Sequence, residues 1–185
     1  MPDPAVARTA VAPLPITLSY PTGNPGRLVN TGHTVDLYLQ NPATLRVADT
    51  TFTYREIHFH VPAEHLVQGV RHAAEIHAVH VNGDMAAVLT TFVTEDQHNS
   101  AWNVLIDSLP GNKGDTLRIG PTDLMTLLAL RELAREPIYS YAGSLTTPAC
   151  SPTPSSAAPA GTTTRPPPAR TTSFFSSSGW PFLST

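Results

Sequence analysis

Apolar and polar residues alternate strictly along several stretches of this chain. Val35-Asp36-Leu37-Tyr38-Leu39 is apolar at every second position, the pattern of a half-buried strand. Tyr54 to His60 alternates as well, with Arg55, Ile57 and Phe59 predicted on one face and Glu56, His58 and His60 on the other. Ala73 to Val81 places Glu75, His77 and Val79 on one side and Ile76, Ala78 and His80 on the other. Asn82-Gly83-Asp84 is a turn signal, and Met85 to Val93 (MAAVLTTFV) reads as the returning strand. The period then changes. Trp102, Leu105, Ile106 and Leu109 share a face at helical spacing within Ser100 to Leu109, and Pro110 stops that helix. A second helix is predicted over Thr122 to Arg135, capped by Thr122 and halted before Pro137. The fold class implied is mainly β: a mostly antiparallel, twisted, meandering sheet with a few short helices.

Beyond Cys150 the periodicity vanishes. Residues 151–185 contain 7 Pro, 8 Ser and 7 Thr, include Pro166-Pro167-Pro168 and have no acid. That composition predicts a disordered or extended tail after a body spanning residues 1–150. Its end, with Phe174, Phe175, Trp180 and Phe182, is unusually aromatic for a linker. Met1 to Ala12 has no apolar run and does not read as a secretory signal. No segment approaches the length of a membrane span. The net charge of −3 argues against a nucleic-acid partner, which wants a basic stripe. A single cysteine excludes an internal disulfide and a cysteine-based zinc cluster.

The chemistry lies in the histidines: eight of them, all between His33 and His98, against one lysine. His58 and His60 share a face of one strand, and His77 lies on the next. Sixteen intervening residues allow an antiparallel return, so the three can converge. Three neutral imidazoles with an open fourth position are the donor set of a catalytic zinc site. Glu75 shares the face of His77, and Glu56 that of His58. Each is placed to accept the ligand's other ring N–H. His80 faces away and reads as a hydrogen-bonded core residue, while His65, His72 and His98 read as ordinary loop or surface histidines.

Longer motifs carry a resemblance. Glu56-Ile57-His58-Phe59-His60, Ala63-Glu64-His65, Ala74 to His80, Ala87-Val88-Leu89 and Gly143-Ser144-Leu145-Thr146-Thr147-Pro148 stand in the order found in α-class carbonic anhydrases, and Asn30-Thr31-Gly32-His33 also matches. The resemblance covers about Leu28 to Cys150. It implies reversible hydration of CO2 to bicarbonate by hydroxide on a Zn2+ held by His58, His60 and His77. It further implies a Thr146–Glu64 hydroxyl–carboxylate pair that aims the nucleophile, and a CO2 wall of Val79, Val88 and Leu145. Thr147 would contact bicarbonate and His33 would shuttle protons. The family expectation for location is secreted or periplasmic; oligomeric state stays open.

Departures from the pattern carry expectations of their own. Glu56 stands where the family has glutamine, Thr31 where it has asparagine and Ala149 where it has proline. The family's N-terminal segment is not found before Met1, and Cys150 lacks the partner it has in many secreted members. After Cys150 the family continues with a Trp-containing strand against the one matching Met85 to Val93. Here the Pro/Ser/Thr-rich tail follows, as if the reading frame or the gene end had changed. The sheet is therefore expected to be incomplete, with the Met85–Val93 edge open and SFFSSS too short to cover it. An inactive zinc-binding remnant is the alternative outcome. A cupin, with His58, His60 and Glu64 as ligands, is the remote one, and its second motif is not found.

Overall fold

The computed structural model describes residues 15–67, 69–94, 105–122, 138–143, 171–176 and 180–181; for the last three stretches the description is of backbone pairing. Thirteen strands are described: β1 (Ile16–Ser19), β2 (Asn24–Asn30), β3 (Val35–Leu39), β4 (Thr44–Val47), β5 (Thr50–His60), β6 (Leu66–Val67), β7 (Val70–Arg71), β8 (Ala74–Asn82), β9 (Met85–Thr94), β10 (Thr116–Thr122), β11 (Ile138–Gly143), β12 (Thr171–Ser176) and β13 (Trp180–Pro181). Eleven form one sheet with the spatial order β10-β2-β3-β5-β8-β9-β12-β11, while β4 joins β1 to β5 and β13 lies on β9. All ladders are antiparallel except those of β12 and β13 with β9. The expected antiparallel meander is present as β5–β8–β9.

Local sequence sets the turns. β8 returns into β9 through Gly83-Asp84, with Asn82 paired to Met85. Gly83 has φ +55°, a backbone state that favours glycine. The link from β5 to β8 folds into the small β6–β7 hairpin.

Leu28, Leu37, Leu45, Ile57 and Leu89 are wholly buried in one cluster with Ile76, Ala78 and Ala87, packed on one face of the sheet. Each such side chain contributes about 1.5–3 kcal/mol relative to exposure. Register shows which face this is. Leu37 pairs with Ile57, Ile57 with Ala78, and Ala78 with Leu89. The opposite face carries His58 paired to His77, Val79 paired to Val88, and Glu75 paired to Phe92.

One detail corrects the sequence reading of β5. The β5–β8 register shifts between Tyr54 and Glu56, so Arg55 is a bulge residue outside the alternation. Before it, Phe52 and Tyr54 face the core; after it, Ile57 and Phe59 do. The bulge reverses the parity of the strand. A strictly alternating β5 would send Tyr54 and His58 to the same face.

The expected open edge of β9 is also corrected. Thr171–Ser176, inside the tail expected to be disordered, pairs in parallel with β9 from Thr171↔Ala86 to Phe175↔Thr90 and antiparallel with β11. Trp180 pairs with Val93, so it too stands in a strand context. TTSFFS is β-branched, aromatic and free of proline, so it can complete a ladder. The prolines Pro152 to Pro168, Trp102, His98 and most of both predicted helices lie outside the described residues. Leu105-Ile106 forms a helical turn, with Ser108 and Leu109 N–H donating to Leu105 and Ile106 C=O. Thr122 ends β10. Among the described residues no helix is long and apolar enough to cross a membrane.

Candidate metal centre

β5 and β8 bring the histidines together because their register pairs His58 with His77 and His60 with Glu75. The imidazole centroids of His58, His60 and His77 lie 4.9, 5.1 and 4.6 Å apart. One ring nitrogen from each lies within 4.8 Å of the others, so the three could hold one metal ion. His58 and His77 are buried and His60 is half-buried.

The other ring nitrogens face carboxylates. His58 Nδ1–H donates to Glu56 Oε2 at 2.9 Å. His77 Nε2–H donates to Glu75 Oε1 at 2.5 Å. His60 Nδ1 lies 3.3 Å from Glu64 Oε1. The nitrogens left over on two rings, His58 Nε2 and His60 Nε2, are buried without a hydrogen-bond partner among the described residues. Buried polar atoms normally have partners. Two orphaned imidazole nitrogens aimed at one point fit a metal ion, and an all-imidazole donor set with a carboxylate behind each ring fits zinc in particular.

Electrostatics follow from this packing. Burial works against the charged form of His58, yet the hydrogen bond and charge of Glu56, with Asp36 and Glu64, carry its pKa above the ordinary value. His60 is pushed down to about 4, by burial and then by the charge of His77. Burial opposes ionisation of Glu75, but hydrogen bonds from His65 and His77 hold its carboxyl well below the usual range.

Three residues on this face were not singled out from sequence. His65 is no bystander: its Nδ1–H and backbone N–H both donate to Glu75. Asp36, buried in β3, accepts from Thr34 Oγ1 at 2.6 Å and Tyr38 OH at 3.1 Å. The polar alternation Thr34, Asp36, Tyr38 was the signal for it. Thr90 pairs with His77 and buries a hydroxyl that has no partner among the described residues.

The remaining predicted residues divide. Val79 and Val88 are buried beside His77 and directly paired. His80 is a core histidine as expected, accepting from Tyr20 OH at 2.5 Å. His72, expected at the surface, is half-buried and stacks on Phe92 at 4.9 Å. His33 is exposed on the turn after β2, where Gly32 has φ +88° and donates to Asn30 Oδ1. It rims a cleft lined by Val35, Phe59, Ala74 and Val93, on the core face of the sheet. Leu145, Thr146, Thr147 and Cys150 lie outside the described residues. Glu64, the third ligand of the cupin arrangement, stands behind His60 rather than beside its orphaned nitrogen.

A twisted, mostly antiparallel sheet brings three histidines together from adjacent strands, a group that could hold a metal ion. The chain belongs to the eukaryotic-type carbonic anhydrase family, whose model matches residues 5–154. It is 33% identical over 141 residues to a carbonic anhydrase of Klebsiella pneumoniae, covering 74% of this chain and 55% of that protein. It is 34% identical over 128 residues to one of Neisseria gonorrhoeae, covering 66% of this chain and 48% of that protein. The Photobacterium profundum α-carbonic anhydrase structure superposes with a TM-score of 0.73 at 27% identity, over 92% of this chain and 70% of that one. The chain thus spans about half the length of the curated relatives it matches.

Proposed function

We propose that this chain hydrates CO2 reversibly to bicarbonate and a proton, with Zn2+ on His58, His60 and His77. The observation that carries the reading is the pair of buried, unpartnered nitrogens His58 Nε2 and His60 Nε2, within 4.8 Å of the donor atom of His77. In carbonic anhydrases, the reference case for the effect, zinc lowers the pKa of a coordinated water to about 7 and so supplies a hydroxide nucleophile at neutral pH.

The chain's own residues do the rest. Glu56 and Glu75 fix the tautomers of His58 and His77, so both rings present a lone pair to the metal point. Val79, Val88 and Leu145 offer CO2 an apolar wall, suited to a substrate with little hydrogen-bonding capacity. Thr146, with Glu64, orients the nucleophile, and Thr147 contacts departing bicarbonate. The family pattern gives the proton relay to His33, although the cleft it rims lies on the face of the sheet opposite the three histidines. By family the chain acts in a secreted or periplasmic setting.

The test is zinc content and CO2 hydration measured on one freshly purified sample. About one zinc per chain with hydration above the buffer rate is expected. Zinc without hydration would instead establish a metal-binding remnant without activity.

A further inference from the structure

A histidine that binds a metal usually donates its second ring N–H to a carboxylate, a carbonyl or a water, and that bond fixes which nitrogen faces the metal. His58 has Glu56 for this and His77 has Glu75. Among the described residues, the carboxylate in ion-pair contact with His60 is Glu64, with Oε1 3.3 Å from Nδ1.

The backbone carrying Glu64 is tied down on both sides. Ala63 is wholly buried, and its N–H donates to His72 C=O at 3.2 Å. Arg71 Nη1 donates to Ala63 C=O. On the other side, His65 N–H donates to Glu75 Oε2 at 2.9 Å. Glu75 itself is buried beneath His77. The segment 63–65 is therefore anchored to β8 at one end and to the hairpin at the other. The Glu64 side chain swings from a fixed base toward His60, with 33% of its surface exposed against 15% for the ring. The nitrogen of His60 on the far side, Nε2, is the buried orphan.

We propose that Glu64 is the positioning residue of His60: Oε1 accepts from Nδ1–H and holds Nε2 on the metal point, so each of the three candidate ligands has its own carboxylate. This rests on the zinc reading above, and it gives Glu64 work that does not depend on Thr146. The two assignments are separable, because a carboxylate has two oxygens and only Oε1 is engaged with His60.

The experiment measures zinc affinity by chelator competition in the full chain, with Glu64→Ala, Glu64→Gln and Thr146→Ala, beside 15N NMR of the His60 ring in the zinc-free wild type. Glu64→Ala should weaken zinc by roughly 10–100-fold. Glu64→Gln should stay within a few-fold, since an amide oxygen still accepts, and Thr146→Ala should match wild type. The NMR should report the neutral tautomer protonated on Nδ1. Wild-type affinity in Glu64→Ala, equal losses in Ala and Gln, or an Nε2-protonated ring would each overturn the assignment. A wild-type chain that takes up no zinc would sink the functional reading instead. The ring tautomer, read without metal and in the unmodified chain, would still decide the Glu64–His60 contact should an Ala variant fail to fold.

Discussion

The hydroxyl of Tyr20 reaches across 60 residues of sequence to the buried ring of His80, 2.5 Å from its Nε2, while His80 Nδ1–H donates to Ala87 C=O at 3.3 Å. Both rings meet Tyr54 edge to face, about 6 Å between centroids. With Nε2 accepting and Nδ1 donating, the ring is neutral. The burial that encloses it holds its pKa down at about 4 against an ordinary 6.5.

That depression makes the fold acid-sensitive. Below pH 6.5 the unfolded chain takes a proton on His80 that the folded chain refuses until about pH 4. Stability is therefore unaffected by His80 above pH 6.5 and falls as pH drops through that window. At pH 5 the loss from this group is roughly 2 kcal/mol. Urea midpoints at pH 7 and pH 5 should show the drop, and His80→Gln should shrink the difference. An equal slope in that variant would mean other groups set the acid limit.

Thr90 offers a stabilising change. Among the described residues its buried hydroxyl has no partner, at a desolvation cost of about 1–3 kcal/mol. Thr90→Val keeps the shape and the β-branching, so it should raise the urea midpoint by the equivalent of about 1 kcal/mol. A lower midpoint would show that the hydroxyl is satisfied in solution.

Proton removal and nucleophile orientation should separate kinetically. His33→Ala should slow CO2 hydration in weak buffer, and added imidazole should restore part of it. Thr146→Ala should keep its zinc and lose roughly 10²-fold or more in turnover at any buffer strength. Stopped-flow hydration across buffer concentrations distinguishes the two, and a His33→Ala rate indifferent to imidazole would remove the shuttle role.

The tail should protect β9. Amide hydrogen exchange at residues 86–90 is expected to be slow in the full chain, because β12 occupies that edge. Ending the chain at Arg170 should speed it and promote aggregation through the bared strand. Exchange indifferent to the truncation would show that β12 does not hold that edge in solution.

What could be read in advance follows from how each residue gets its partners. His58, His60 and His77 were legible because alternation within two neighbouring strands is local, and a short connection implied their pairing. β2 and β10 were not. NPGRLVN and TLRIGPT carry Gly and Pro, which read as turns. In β2 the glycine serves close approach instead: a Cβ on Gly26 would lie 2.6 Å from Tyr38 C=O. In β10 the register breaks between Ile119 and Thr122, where Gly120 and Pro121 lie. His65 was missed because its partner, Glu75, is ten residues away across a hairpin. The covering of β9 was missed because composition over 35 residues hid six that suit a strand.

The bulge at Arg55 also has a bearing on which length changes this chain tolerates. Because the extra residue absorbs one step of phase, the stretch Thr50–Tyr54 and the stretch Glu56–His60 are indexed independently of each other. Removing Arg55 would leave Tyr54↔His80 followed directly by Glu56↔Val79, a regular ladder in which Phe52, Tyr54, Ile57 and Phe59 keep the core face and His58 and His60 the other. A single-codon deletion at this exposed position should therefore be tolerated far better than one within β9, whose ladder with β8 has no extra residue to give up.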